Sequence, residues 1–395
     1  LRVLDLTRAL AGPSCTRMLV EMGADVIKVE PAPNGDMIRR ISVFRNNRSL
    51  YFVQQNRGKK SLCLNLRDPR ALALLTELIP QVDVVVENFK PEVMAEMGLG
   101  YERLRELKSD IILCSISAFG QKGPLADKPG YDYIAQAYAG VTSMIGEPDD
   151  APYIPLVGMG DVSTGVHAAL AIVSALHYRD RTGEGQHLDV ALLDVYYHYH
   201  EANVHTYSGS GGAVKPTRAG RHMTYACPGG VFRGNGGYLV VMAILHHWKD
   251  LCRAMDRPEL AAHPDYDSDV KRLQRREAVI KIVEDWLQTF PDVASAVAHL
   301  ERFQVPVAPV LSVADTVHSP HHRQRHTVRT VQDPLHGDFE MPGMPLRFSK
   351  FPEELSMQAP TLGQHNTEVL TTYLGRSAEE VQRLRAEGVI LEKEM

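Results

Sequence analysis

The sequence predicts an α/β fold, with a mostly parallel sheet in a large domain and a second, smaller region. Three observations predict it. Between Leu1 and Ser115, short apolar runs alternate with helical patterns, and strands separated by helices imply βαβ units. The chain has 395 residues, more than one small core accommodates. Its 44% apolar and 23% charged residues are those of an ordinary globular protein.

The elements follow in order. Arg2–Leu6 reads as a short apolar strand, and Pro13–Met22 as a helix with proline in its first turn, where the fixed φ is tolerated. Asp25–Val29 is a second strand, ending at Glu30. Ser61–Leu66 alternates as a strand does, Arg70–Ile79 is a helix, and Val82–Val86 and Ile111–Ser115 are buried strands. Ligands of such sheets bind beyond the carboxyl ends of the strands. The segments of interest are therefore Thr7–Pro13, Glu30–Asp36, Asn88–Pro91 and Ser117–Gly123. A second region begins near the glycine-rich stretch 207–212, with Tyr238–Ala243 a strand and His247–Ala254, Gln274–Thr289 and Val293–Phe303 helices. Residues 305–310 are extended and proline-punctuated, and Leu362–Leu374 and Ala378–Glu387 are helical. The expected organisation is a large domain over 1–200, a linker over 201–221, a small domain over 222–315, and a return over 316–395 that completes the large domain.

Composition excludes several classes. A net charge of −5 gives no reason to expect nucleic acid or an anionic membrane as partner. No apolar run reads as long enough to span a bilayer, so no transmembrane helix is expected. The first residues read as a strand and not as a signal peptide. The five cysteines are odd in number and lack a CxxC, which points to reduced thiols and a cytoplasmic location. Histidines cluster at His198, His200 and His205, and at His318, His321, His322 and His326. The first group reads as a polar helix face and the second as a solvated loop broken at Ser319-Pro320, so no metal is expected.

Nucleotide chemistry lacks its motifs. Glu30 stands where a ribose-binding acid would, but residues 7–13 are not GxGxxG, and no GxxxxGK[ST] loop occurs. A GxSxG elbow is absent too. The informative stretch is instead Gly158-Met159-Gly160-Asp161, followed by Val166, Ala169, Leu170, Val173 and Leu176 at helical spacing. Asp161 thus stands at a helix N-terminus, where free N–H groups favour a negative charge. It reads either as an N-cap or as a carboxylate nucleophile in a glycine-lined space.

Leu10-Ala11-Gly12-Pro13, residues 23–30, Asn56-Arg57-Gly58-Lys59-Lys60-Ser61, Val86-Glu87-Asn88-Phe89-Lys90-Pro91, Gly130-Tyr131-Asp132, Gly160-Asp161 and residues 182–186 occur in this order. Together they resemble the class III CoA-transferase family, also called CaiB/BaiF, which includes formyl-CoA transferase and, as a relative, α-methylacyl-CoA racemase. The resemblance runs from Leu1 to the segment Gly363-Gln364-His365-Asn366. It implies a Rossmann-like large domain, a smaller α+β domain and an interlocked homodimer. It implies transfer of CoA from an acyl-CoA to a carboxylic acid through a covalent aspartyl-CoA, with Asp161 as the catalytic aspartate and Tyr131 orienting substrate. No permanently bound cofactor is implied; coenzyme A enters as co-substrate. By the same resemblance, Leu10, Ala11, Leu64, Asn65, Leu66, Arg67, Asn88, Phe89, Lys90, Met97, Lys128, Gly130, Tyr131 and Asp132 contact CoA. The basic residues Arg39, Arg40, Arg57, Lys59 and Lys60 are candidates for its phosphates, or simply a solvated face.

The departures narrow the reading. Racemase relatives carry histidine where this chain has Tyr131, and a phenol with a pKa of ~10 is a poor base at neutral pH. Formyl-CoA transferases carry Gln where this chain has Leu10, and their run of four glycines has no match at residues 223–227. Both differences argue against oxalate as acceptor and for a larger or less polar acid. The alternative activity is racemisation at Cα of an acyl-CoA, with Asp132 and Asp161 as proton carriers. Backbone N–H groups around Gly158–Gly160 are expected to serve as oxyanion donors.

Overall fold

The structure, a computed structural model, describes residues 1–41, 43–350 and 358–393. It divides into two compact units. The first comprises Leu1–Val141, Pro155–Glu201 and Pro320–Met395, and the second Thr142–Ile154 and Ala202–Ser319.

The first unit is built on six parallel strands: β1 (Arg2–Asp5), β2 (Asp25–Pro31), β3 (Lys60–Leu64), β4 (Val84–Glu87), β5 (Ile112–Ser117) and β6 (His187–Ala191). Their order is β3-β2-β1-β4-β5-β6. The direction of strand addition reverses between β1 and β4, which is where sheets of this kind open a crevice for ligands. Both faces are covered. Leu4, Ile27, Leu62 and Val85 point into one core, and Val3, Val26, Val84 and Ile112 into the other. Strand β6 escaped the sequence reading. It is an edge strand that alternates exposed and half-buried residues, with His187 and Asp189 among them, so its apolar signal is weak.

Helix α1 (Ala11–Glu21) follows β1, and all of its residues are buried. Helix α2 (Leu50–Asn56) precedes β3, and α3 (Pro69–Leu78) follows it. Helices α4 (Asp132–Tyr138), α5 (Met159–Thr182) and α6 (Leu192–His198) pack together in the same unit. Helix α5 buries a narrow stripe of mostly small residues: Gly160, Thr164, Gly165, Ala168, Ala169, Ile172 and Ala175. A Cβ on Gly165 would lie 2.8 Å from the carbonyl oxygen of Ala11, so glycine there lets α5 lie against α1. The 24 residues of α5 are long and apolar enough to cross a bilayer. That corrects the expectation that no such segment exists: its alanines, with scattered Val, Leu and Ile, raise its hydropathy without a run of large apolar residues. Its buried stripe packs within the first unit.

The C-terminal return closes the β3 edge. Asn366 Oδ1 accepts from Cys63 N–H at 2.8 Å, and Leu391 N–H donates to the Cys63 carbonyl at 3.2 Å. The expected helix from Leu362 begins only at Asn366, after Gly363 with φ +73°. In the second unit, β7 (Gly229–Gly234), β8 (Gly237–Met242) and β9 (Val307–Pro309) form an antiparallel sheet. Phe232, Leu239, Val241, Trp248, Leu251, Val283 and Leu287 are part of its core. The helix expected over 274–289 spans Arg276–Leu287, after a separate short helix, Asp269–Gln274. The histidine-rich segment near Pro320 is not a loop throughout. It forms two short helices, Val313–His318 and Pro320–Gln324, that break at Ser319.

Candidate active site

The β1–α1 loop is held from three sides. The side chain of Asn88, just past β4, clasps Arg8: its Oδ1 accepts from Arg8 N–H and its Nδ2 donates to the Arg8 carbonyl, both at 2.8 Å. Lys28 Nζ donates to the Thr7 carbonyl at 2.8 Å and pairs with Asp36 at 2.9 Å. Asp36 Oδ1 accepts from Ala9 N–H at 3.2 Å. Ala9 has φ +64°, a left-handed conformation that costs a non-glycine residue roughly 1 kcal/mol and persists only where surroundings impose it. Beneath the loop, Asp5 accepts from Thr7 N–H, Thr16 Oγ1 and Lys59 Nζ. Burial opposes its ionisation, but Lys59, Lys28 and the two hydroxyls prevail and hold its pKa at about 2. Lys59 and Arg39 are therefore spent on buried pairs, Lys59 with Asp5 and Arg39 with Glu30. Arg57 pairs with Glu21, and Lys60 with Asp25 and Glu368. Of the basic cluster considered for phosphate contacts, these four have carboxylate partners, and the solvated-face reading fails for the three that are buried.

Asp161 is not a helix cap. The N-cap of α5 is Gly158, and Asp161 is the third helical residue. Its backbone N–H donates to Asp132 Oδ2 at 3.1 Å. Asp132, at the start of α4, also accepts from Tyr196 Oη of α6. Tyr196 Oη in turn accepts from Gly160 N–H at 3.0 Å and from Gln136 Nε2 at 3.1 Å. Gly160 is required here, since a Cβ would lie 2.2 Å from the Tyr196 ring and 2.6 Å from Asp132 Oδ1. This arrangement corrects one expectation. Of the N–H groups expected over Gly158–Gly160, that of Gly160 already donates to Tyr196 and that of Met159 to the Val157 carbonyl, and the next one, on Asp161, donates to Asp132, so neither Met159 nor Gly160 is a spare oxyanion donor.

Among the described residues, no cation pairs with the Asp161 carboxylate. Burial, and then the neighbouring charge of Asp132, raise its pKa to about 7. Tyr51 of α2 feels both carboxylates: burial first, then Asp161 and Asp132, push its phenol up to about 12. It stays a neutral donor throughout the physiological range. Leu10 is close by, since a Cβ on Gly158 would lie 2.9 Å from its Cδ2.

A cavity of about 250 Å³ opens beyond β4 and β5. Its lining includes Asn88, Phe89, Lys90, Ser117, Lys128, Gly130 and Tyr131, and no carboxylate. Six of the residues singled out from the sequence thus meet in one place. Tyr131 is 75% exposed and adjoins Asp132, which links the cavity to Asp161. Gly130 is needed for its close approach, because a Cβ would lie 2.5 Å from that of Ala118. The other candidates lie outside this lining. Ala11 is buried in α1 and Leu64 is fully buried at the end of β3, while Asn65 and Leu66 follow half-buried and Arg67 exposed. Met97 packs against the core.

Sequence reading missed Tyr196, Gln136, Tyr51 and Arg8. No motif marks them; Tyr196 belongs to a Tyr/His-rich stretch that reads as a polar face. Among the described residues, one group has metal-ligand spacing: His246, His247 and Asp250 of the second unit. None of the histidines singled out from the sequence belongs to it.

A doubly wound sheet, a cavity beyond the carboxyl ends of β4 and β5 and a carboxylate pair beside it define a class of protein: an α/β protein with a candidate active site at the C-terminal edge of its sheet. The chain belongs to CoA-transferase family III, whose model matches residues 1–366. It is 38% identical over 381 residues to the succinyl-CoA:mesaconate CoA-transferase of Haloarcula hispanica, covering 94% of each chain. It is 33% identical over 406 residues to the formyl-CoA:oxalate CoA-transferase of Streptomyces avermitilis, covering 99% of this chain and 98% of that one. Among solved structures, a CaiB/BaiF family protein from Brucella suis superposes with a TM-score of 0.84 at 31% identity, covering 94% of this chain and 98% of that one. The chain is a class III CoA-transferase, with a CoA thioester as co-substrate.

Proposed function

We propose that the protein moves CoA from succinyl-CoA to a second dicarboxylic acid through an aspartyl-CoA on Asp161. The observation that carries the reading is the state of Asp161. Its carboxylate has no cation partner among the described residues, is not used as a cap, and adjoins a residue that abuts the cavity. In its ionised form it attacks the thioester carbonyl, giving a mixed anhydride and CoA thiolate. The thiolate attacks the aspartyl carbonyl, which releases succinate and leaves the aspartyl thioester. The acceptor carboxylate then attacks that thioester, and the thiolate, freed again, attacks the new acyl carbonyl and restores Asp161. Splitting one exchange into such steps is what covalent catalysis provides. The neutral Tyr51 phenol, which senses the Asp161 charge, and Tyr131 at the cavity donate to the charge that develops in this reading.

The acceptor follows from two considerations. Succinyl-CoA:mesaconate transferase is a more similar relative than formyl-CoA:oxalate transferase. Leu10 places an apolar side chain beside Gly158, which suits a branched or longer diacid better than oxalate. Assembly as a homodimer is part of the same proposal. Helix α5 exposes a second apolar stripe, Val162, Val166, Leu170 and Val173, at helical spacing, and a second copy of the chain would cover it. The five cysteines are all free and buried, which fits the proposed cytoplasmic location.

The test is incubation with succinyl-CoA and a panel of mono- and dicarboxylic acids in deuterated water, read by mass spectrometry. New CoA esters of a diacid, without deuterium at Cα, are expected. Racemisation is the second reading, favoured by an Asp161 pKa near neutrality beside another carboxylate. Deuterium uptake without CoA transfer would establish that reading instead.

A further inference from the structure

Arg8 has the placement of a ligand-binding cation, yet no motif singled it out. Its backbone is locked by Asn88, and its guanidinium lies over the Phe89 ring at 5.1 Å from the centroid. Asn88 and Phe89 both line the cavity. Two further cations, Lys90 and Lys128, belong to the same lining. Among the described residues, none of the three pairs with a carboxylate. Elsewhere in the first unit, by contrast, Lys28, Arg39, Arg48, Arg57, Lys59 and Lys60 all do. Three uncompensated cations around an aromatic floor suit a ligand that carries both a flat ring and phosphate. A guanidinium stacked on an aromatic face keeps its edge N–H groups free for phosphate oxygens.

We propose that Arg8, held on Phe89 by the Asn88 clasp, binds a phosphate of the nucleotide half of CoA and so determines specificity for CoA over shorter thiol carriers. The proposal rests on the CoA-transferase reading but concerns only how the carrier is held. The carrier's thiol end reacts at Asp161, so loss of Arg8 weakens binding and leaves the chemical steps alone.

The test compares wild type, Arg8→Ala and Arg8→Lys with two donors: succinyl-CoA and succinyl-pantetheine, which lacks the phosphates and the purine. For Arg8→Ala, KM for succinyl-CoA is expected to rise about tenfold with kcat little changed, as loss of one charge-assisted contact implies. KM for succinyl-pantetheine should stay as in wild type. Arg8→Lys, which keeps the charge but loses the planar stack, should fall between, and it decides the matter should the alanine variant fold poorly. An unchanged KM for succinyl-CoA overturns the proposal, and so does an equal loss with both donors, which would mark Arg8 as a support of its own loop. Calorimetric titration of wild type with CoA separates the two failures. Without CoA binding the transferase reading itself falls, whereas equal binding by wild type and Arg8→Ala sinks only the role of Arg8.

Discussion

The backbone N–H of Asp161 donates to the carboxylate of Asp132 at 3.1 Å. The nucleophile candidate is therefore tied to a second carboxylate through its main chain, while its own side chain stays unpaired among the described residues. Charge on Asp132 opposes charge on Asp161, and with burial it lifts the Asp161 pKa to about 7. Only the ionised form attacks a thioester. The rate of CoA transfer should thus rise with pH and level off above an apparent pKa near 7. Asp132→Asn removes the opposing charge and keeps an acceptor for the Asp161 N–H, so the acid limb should move to lower pH. A pH–kcat/KM profile of both proteins checks this, and an unmoved limb would contradict the coupling.

The same shift has a consequence for stability. A carboxyl group whose pKa is raised on folding keeps its proton in the native state after the unfolded chain has lost its own. Stability therefore falls as pH rises from the ordinary aspartate range, ~4, to about 7, and the penalty remains in full above that. Asp161→Asn should abolish transfer and raise stability at pH 8 by about 1–2 kcal/mol, with little gain at pH 4. No loss of a cap offsets the gain, because Gly158 is the N-cap. Thermal melts at the two pH values, with activity assays, provide the measurement.

Gly160 is the tightest point of the site. Alanine there would drive its Cβ into both the Tyr196 ring and the Asp132 carboxylate. Neither can retreat easily, since Tyr196 is fully buried and Asp132 nearly so. Gly160→Ala should cost about 1–3 kcal/mol, as overpacking does, and most of the activity as well. Asp180→Ala, exposed near the far end of the same helix and outside its apolar stripe, should cost far less of either. Denaturant titration beside turnover measurements separates the two variants.

What the sequence disclosed follows physical lines. Strands β1 to β5 were legible because their apolar runs are buried on both faces, and the crevice could be placed beyond their carboxyl ends. The cavity residues Asn88 to Lys90 and Lys128 to Tyr131 were legible from order and resemblance. Strand β6 was not, because an edge strand with His187 and Asp189 carries little apolar signal. Tyr196 was hidden for another reason. Its role comes from a contact with Asp132, 64 residues away, and nothing in local periodicity announces such a pairing. The expectation of free N–H groups at Gly160 failed on the same tertiary contact.

Glu87 offers a test of the cavity's foundation. It ends β4, it is 2% exposed, and its Oε2 accepts from Phe89 N–H at 2.7 Å. Ser115 Oγ approaches it from β5 and lies 2.8 Å from His187 Nε2 of β6, so three strands meet at this carboxyl group. Burial raises its pKa to about 7; Ser115 and the Phe89 N–H oppose the shift, and Asp189 adds to it. The sign is that of Asp161: the folded protein holds the proton longer, so stability is lost as pH climbs from the ordinary glutamate range, ~4.5, to about 7. Glu87→Gln removes that penalty while leaving an oxygen to accept from Phe89. It should match wild type near pH 4.5 and exceed it by about 1–3 kcal/mol at pH 8. Glu87→Ala removes the acceptor as well, frees the Phe89 turn and should raise KM for the acyl-CoA severalfold. Equal stability of Glu87→Gln and wild type at both pH values would show that the Glu87 carboxyl ionises at its ordinary pKa in the folded protein.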